Sequence, residues 1–160
     1  GAYKVMIYRD IETYDDIQLL SKFTLITSNG FDVKKYLEKI QFENGGDAAE
    51  RTTMALKFAV ENTAKGGLVL VFTDIWSHNP ELRQQIRETA MQKKQEIIFL
   101  IADITSLSRQ GTSDPDKIDV SEIVEFYKVI SESIVVFDEK NKANPHELVR
   151  RLEEFVCDAE

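Results

Sequence analysis

The chain has few of the residues that build covalent or metal-based sites. Its 160 residues include one cysteine, Cys157, and two histidines, His78 and His146. A single cysteine excludes an internal disulfide and a cysteine-based zinc site, and two histidines exclude a multi-histidine metal centre. Walker-type, GxGxxG, GxSxG and HExxH motifs are also absent from the sequence, which favours a non-enzymatic protein.

Long apolar runs and a net positive charge are missing as well. No stretch reaches the roughly 18 apolar residues that a membrane-spanning helix needs. The formal net charge is −8, which repels phosphates and argues against a nucleic-acid partner. With 42% hydrophobic and 30% charged residues, the composition predicts one globular domain over residues 1–160.

The order of the predicted elements is that of an α/β protein. Two strands, 3–10 and 17–27, are joined by a turn too short for a helical crossover, which predicts an antiparallel hairpin at one edge. Three later strands, 68–73, 96–103 and 133–138, alternate with helices. This alternation predicts an open, mostly parallel, doubly wound sheet with helices on both faces. The first of these three is apolar on both faces, which predicts a central position.

Capping residues mark the predicted helices. Asp47 with Glu50 three residues later, and Asp119 with Glu122, form acidic capping boxes, and Asn79 precedes a proline at a helix start. The segment 104–117 is polar and predicts a long loop. The predicted helices cover 32–40, Asp47 to Gly66, Asn79 to about Lys93, 119–130 and 144–156.

Aspartates end four of the predicted strands, at Asp10, Asp74, Asp103 and Asp138. Ligands of open parallel sheets bind outside the carboxyl ends of the strands, and clustered carboxylates there favour Mg²⁺. Aspartate also satisfies backbone N–H groups where a strand turns toward a helix, and we favour this structural role for three of the four. The exception is Asp74, which follows the most buried strand.

Trp76, Ser77 and His78 follow Asp74 in the loop over the same sheet edge. The tryptophan either packs on the domain or is exposed as an interface anchor, and the sequence leaves both alternatives open. The histidine fits acid–base chemistry but is more simply a loop residue before a helix. We predict that these three residues and Asp10 contact a partner.

The segments KVMIYRD, ENGGDAAERTTMALKFAVE, LVLVFTDIWSHNPELRQQI and KKQEIIFLIADI, in this order, resemble the von Willebrand factor A domain family. The FTD after the buried strand and the GGD before the long helix are the most specific pieces, and VFTD with QKKQEIIFLIADI looks most like hemicentin-type A domains. The resemblance implies a Rossmann-like fold, a non-enzymatic protein-binding or adhesion module, and an extracellular location.

The family's metal-ion-dependent adhesion site joins three loops, and the sequence carries only one of them plainly. That one is the aspartate after FTD, Asp74; Ala49 stands at the family's threonine position, with Asp47 two residues earlier. Thr52 and Thr53 lie about a turn further on and do not fit the position. The D-x-S-x-S motif, with the first strand and helix that carry it, has no counterpart in the sequence. The resemblance therefore implies a degenerate site at Asp74, with Asp47 as second candidate, and weak or no Mg²⁺ or Mn²⁺ binding.

In the family this first strand is central, so its absence leaves the neighbouring strands open. Three outcomes are open. Strands 3–9 and 68–73 pair directly with each other, a second copy (a homodimer) or another partner chain supplies a strand, or the missing strand lies upstream in the native protein. We predict a protein-binding module that meets its partner at the carboxyl edge. The alternatives are a Mg²⁺-dependent hydrolase or phosphoryl-transfer domain that uses Asp74 with Asp10 or Asp103, and a purely structural or oligomerisation domain.

Overall fold

The computed structural model describes residues 2–6, 8, 25–39, 51–103, 119–137 and 150. These residues form an α/β fold, as the sequence predicts. The strands are β1 (Tyr3–Val5), β2 (Leu25–Thr27), β3 (Leu68–Thr73), β4 (Glu96–Ala102) and β5 (Ile134–Phe137). The α-helices are α1 (Gly30–Glu38), α2 (Thr52–Asn62), α3 (Arg83–Gln92) and α4 (Val120–Lys128), and a short 3-10 helix, Pro80–Leu82, precedes α3.

A three-stranded parallel sheet lies at the centre of the described residues, in the order β3-β4-β5. Every residue from Ile97 to Ile101 in β4 is at most 4% exposed, because this strand has neighbours on both sides and apolar residues on both faces. The prediction that β3 is central is therefore wrong for the described sheet. β3 is an edge strand there, and β4 holds the middle.

Helices α2, α3 and α4 cover one face of this sheet. Leu56 and Val60 of α2, with Ile86 of α3, are fully or almost fully buried in one cluster with alternate residues of β3 and β4. The aromatic rings of Tyr127 in α4 and Phe99 in β4 pack at a centroid distance of 4.7 Å. The opposite face is also buried over β4 and β5, at Ile98, Leu100 and Val135.

The N-terminal strands form the predicted antiparallel hairpin, in which Tyr3 pairs with Thr27. Residues 9–24, which include much of both predicted strands, lie outside the described residues. The following helix, α1, begins at Gly30, two residues before the predicted start. The earlier start arises because the Asn29 side chain accepts a hydrogen bond from the Phe31 amide at 2.9 Å and caps the helix.

The hairpin lies beside β3 without a backbone ladder between them in the described residues. Lys4 Nζ donates to the Asn62 carbonyl at 2.6 Å, and the Tyr8 hydroxyl donates to the Phe72 carbonyl at 2.8 Å. Side chains therefore join β1 to the end of α2 and join Tyr8, beyond β1, to β3. Direct closure of the two strands, one of the three predicted outcomes, is not observed in this part of the chain.

One face of β3 is partly exposed and has no helix against it among the described residues. Its residues alternate between buried and exposed, and Leu68, Leu70 and Phe72 are 40%, 43% and 56% exposed. Their paired neighbours Ile98 and Leu100 in β4 are fully buried on the same face. We call Leu68, Leu70 and Phe72 the β3 apolar row.

Several predicted helix ends lie elsewhere in the structure. Helix α2 begins at Thr52 with Arg51 at the N-cap position, so Asp47 does not cap it; Asp47 lies outside the described residues. Asn79 adopts a left-handed backbone and makes no side-chain cap bond, and its proline opens the 3-10 helix instead. The Asp119 cap is confirmed, since its carboxylate accepts from the Ser121 amide at 2.9 Å. Of the predicted helix 144–156, only Arg150 is described.

Side chains of the α3–β4 connection donate hydrogen bonds to the last carbonyls of α2. Lys93 Nζ donates to the carbonyls of Val60 and Glu61 at 2.7 and 3.0 Å. Gln95 Nε2 donates to Val60 and Thr63 at 3.0 and 2.8 Å. The last carbonyls of a helix have no partner within the helix and carry partial negative charge, so these donors stabilise the end of α2.

We expect Lys93→Met to lower the free energy of unfolding by about 1–2 kcal/mol, because the aliphatic stem stays while the charged donor is lost. Urea denaturation measures the change. Lys94→Met is the control, since Lys94 is exposed and carries the same chemical change one residue away. Equal destabilisation by both substitutions would contradict the role of Lys93 at the end of α2.

Candidate functional site at the loop after strand β3

Three of the four residues predicted to bind a partner, Trp76, Ser77 and His78, lie in the loop that follows β3, and the fourth, Asp10, lies outside the described residues. We call residues 74–79 the β3–α3 loop. Asp74, Trp76 and His78 are each partly exposed, whereas Ile75 and Ser77 are 4% exposed. Alternate residues of the loop therefore point into the domain and out of it.

Trp76 packs partly against the main hydrophobic cluster and remains partly exposed. Both alternatives considered for this side chain therefore hold in part. Asp74 differs from its neighbours, because its carboxylate makes no hydrogen bond or ion pair to another described residue. Its negative charge lies close enough to the Tyr127 hydroxyl to influence it.

The Ile75 carbonyl is held from two directions. The Tyr127 hydroxyl of α4 donates to it at 2.7 Å, and Thr73 Oγ1 donates to it at 3.1 Å. Burial raises the pKa of Tyr127 well above its ordinary value of 10.0, and the charge of Asp74 acts in the same direction. The hydroxyl therefore stays protonated and remains a donor to the loop.

Ser77 performs a second structural task. Its Oγ accepts a hydrogen bond from the Thr53 amide at 2.9 Å. Thr53 is the second residue of α2, where amides have no partner within the helix, so Ser77 caps α2 from 24 residues away. Arg51, at the N-cap position, makes no side-chain cap bond.

The hydroxyls of Thr53 and Ser77 also meet each other, at 3.1 Å, and both donate to the His78 carbonyl. Thr53 is fully buried and Ser77 is 4% exposed, so the bonds lie in the interior. Thr52, beside them and also fully buried, has a hydroxyl without a hydrogen-bond partner among the described residues. The start of α2 therefore holds the loop directly through Thr53.

Of the other predicted carboxylates, the structure describes only Asp103. Asp103 follows β4, and its amide donates to the Phe137 carbonyl at 2.7 Å. Since β3 and β4 are parallel and Thr73 pairs with Ile101, Asp74 and Asp103 lie at the same sheet edge. Within the described ranges no three His, Cys, Asp or Glu residues form a group able to hold a metal ion. Asp10, Asp47 and Asp138 lie outside those ranges, and the site predictions for all these residues stay predictions.

Sequence reasoning missed two residues that shape the loop. Tyr127 occupies a core-facing position of α4 and gives no sequence signal beyond its apolar spacing. Thr53 does not fit the spacing of the family's metal-site threonine, so the sequence assigns it no role in the site. The only available signal was the pair of adjacent threonines in an apolar helix, since buried hydroxyls require hydrogen-bond partners.

A parallel sheet with helices against it and a loop that presents polar side chains at the carboxyl end defines a Rossmann-like α/β domain. The sequence matches the family model for the von Willebrand factor A domain over residues 13–135. This range is more than half of the chain, and the chain belongs to that family.

Among curated proteins the chain is similar to Hemicentin-1 of Mus musculus and of Homo sapiens. Each is 30% identical over 73 residues, which is 44% of this chain and 1% of the relative. The chain thus spans a very small part of these relatives. No solved structure matches it. None of the described helices has the length and apolar character needed to cross a bilayer.

Proposed function

We propose that the chain is a non-enzymatic protein-binding module of the A-domain type, and that it contacts its partner through the β3–α3 loop. One observation carries the proposal. The loop is held from inside by buried bonds from α2 and α4, while Asp74, Trp76 and His78 are partly exposed. A rigid loop that presents an aromatic and a charged side chain loses little entropy on binding.

The family and the relatives support an adhesion role more than catalysis. The similarity to Hemicentin-1 also favours an extracellular location, which we propose for this chain. We also propose that residues 1–160 form one domain. The enzyme alternative would use Asp74 and Asp103 at one sheet edge. It lacks support from a nucleophile motif in the sequence.

The proposal is tested by affinity capture from an extracellular-matrix extract, with proteins identified by mass spectrometry. Immobilised wild type and Met91→Ala should retain the same proteins, because Met91 is an exposed apolar residue in the last turn of α3. Trp76→Ala should lose them. Identical retention by Trp76→Ala would contradict a partner site at the loop, and hydrolysis of a phosphate ester by purified wild type that Asp74→Asn abolishes would favour the enzyme.

We further propose that the adhesion site at Asp74 is degenerate and that binding does not require a cation. The support is the sequence, which has Ala49 at the threonine position and no D-x-S-x-S motif. A tight Mg²⁺ or Mn²⁺ site needs several converging oxygen ligands.

Calorimetric titration with Mg²⁺ and with Mn²⁺ is expected to give dissociation constants weaker than about 1 mM. Asp74→Ala should give the same heats as wild type, because one carboxylate does not complete a site. Capture of the partner should also survive EDTA. Tighter binding that Asp74→Ala abolishes would show a functional cation site and overturn this part of the proposal.

A second candidate function is assembly through the β3 apolar row. The observation that favours it is the exposure of Leu68, Leu70 and Phe72 on the edge strand of the described sheet. An exposed edge with an apolar face readily accepts a strand from another chain. We propose that a second copy of the chain supplies it, and a different partner chain is the alternative.

Light scattering should then give a molar mass above the 18.3 kDa of one chain, and Phe72→Lys should return the mass to that value. Met91→Lys is the matched control, because Met91 is 66% exposed and belongs to α3 rather than to β3. A wild-type mass of one chain would contradict the homodimer. A larger mass that Phe72→Lys leaves unchanged would place the contact elsewhere.

A further inference from the structure

Helices α2 and α4 hold the β3–α3 loop at positions two residues apart. Tyr127 of α4 donates to the Ile75 carbonyl at 2.7 Å, and Thr53 of α2 donates its amide to Ser77 Oγ at 2.9 Å. Trp76 is the residue between these two attachment points. Its placement therefore depends on both helices.

A third contact ties α4 to the start of α3, just beyond the loop. Arg83 Nη1 donates to the Phe126 carbonyl at 2.9 Å, and its guanidinium lies 4.3 Å from the centre of the Phe126 ring. The same side chain donates through Nε to the Pro80 carbonyl at 2.9 Å. Phe126 precedes Tyr127, so adjacent residues of α4 contact Ile75 in the loop and Arg83 just beyond its end.

The tyrosine ring is fixed independently of its hydroxyl. Tyr127 is fully buried, and its ring packs on Phe99 at 4.7 Å and edge-on against Phe126 at 5.0 Å. Removal of the oxygen alone therefore leaves the core packing in place. What it removes is the link between α4 and the Ile75 carbonyl.

We propose that Tyr127 is a positioning residue, which acts through the Ile75 carbonyl to couple the placement of α4 to the conformation of the β3–α3 loop. A shift of α4 thereby changes how the loop presents Asp74 and Trp76. The consequence for partner binding rests on the proposed function, whereas the coupling itself does not.

The test is Tyr127→Phe in the full chain, with amide hydrogen exchange followed by NMR. The reporter is the Thr53 amide, because its acceptor, Ser77 Oγ, lies on the loop. We expect its exchange to become about fivefold faster, the usual effect of one lost hydrogen bond. The Val60 amide, inside the same helix, should exchange at its wild-type rate. Acrylamide quenching of Trp76, the only tryptophan, should increase in parallel.

Tyr36→Phe on α1 is the matched control and should leave all three readouts unchanged. A merely structural role for Tyr127 would accelerate the Thr53 and Val60 amides equally, and that result would overturn the proposal. Unchanged exchange at Thr53 would overturn it as well. Arg83→Gln, on a partly exposed side chain, gives a second measurement if Tyr127→Phe does not fold, with the same expected increase in Trp76 quenching.

The exchange and quenching measurements are made without a partner, so they test the coupling separately from the proposed function. If Tyr127→Phe speeds Thr53 exchange but leaves capture from the matrix extract unchanged, the coupling is supported and binding at the loop is contradicted. Loss of capture in Trp76→Ala with unchanged Thr53 exchange in Tyr127→Phe supports the loop site and contradicts the coupling.

Discussion

Replacement of Phe99 by alanine is expected to lower the free energy of unfolding by about 4 kcal/mol. Phe99 is fully buried in the middle of β4, and its ring packs on Tyr127. The change removes a large apolar group and leaves a cavity. The cavity cannot close, because β3 and β5 hold β4 in place on both sides. Urea denaturation followed by circular dichroism measures the loss from the shift in midpoint.

The matched control for this change is Phe72→Ala on the neighbouring strand. Phe72 is 56% exposed, so the same chemical change should alter the free energy of unfolding by less than about 1 kcal/mol. Comparable losses in the two variants would show that the β3 apolar row is covered in solution. That result would argue for an assembled form and would agree with a molar mass above that of one chain.

Thr53→Val is expected to cost about 2 kcal/mol, the second-largest effect. The substitution keeps the size of the side chain but removes the hydroxyl that donates to the His78 carbonyl and contacts Ser77 Oγ. The buried groups left behind lose a partner and cannot recover it from water. Denaturation in urea gives the loss, and faster exchange of the β3–α3 loop amides locates it.

Thr52→Val provides an adjacent comparison with the same chemistry. Both threonines are fully buried, but the Thr52 hydroxyl has no hydrogen-bond partner among the described residues. Replacing an unpaired buried hydroxyl by a methyl group should be neutral or stabilising by up to about 1 kcal/mol. A loss at Thr52 equal to that at Thr53 would contradict the assignment of the loop contacts to Thr53.

The parts of the fold that sequence reasoning predicted well are those with local causes. Strands β3 and β4 were recognisable as continuous apolar runs, and Asp119 was recognisable as a cap because its own carboxylate reaches an amide two residues on. The antiparallel hairpin followed from the short connection. Each of these features depends on residues close in sequence.

The parts that sequence reasoning missed depend on residues distant in sequence. Helix α2 begins at Thr52 because Ser77, from the far side of β3, supplies its cap. The edge position of β3 depends on which strands are present beside it, which apolar composition does not report. The site was predicted through its exposed residues, Asp74, Trp76 and His78, while the buried residues that hold them were not.

The bonds that hold the β3–α3 loop come from hydroxyls and backbone groups, at Tyr127, Thr53 and Ser77. None of these groups ionises between about pH 4 and pH 9. Since the folded-state pKa of Tyr127 is raised, its contribution to stability is fully present below the ordinary value of 10.0 and is lost only in more alkaline solution. The bonds that hold the loop therefore persist in acidic and neutral solution, and we expect any pH dependence of partner binding to come from the side chains that the loop presents.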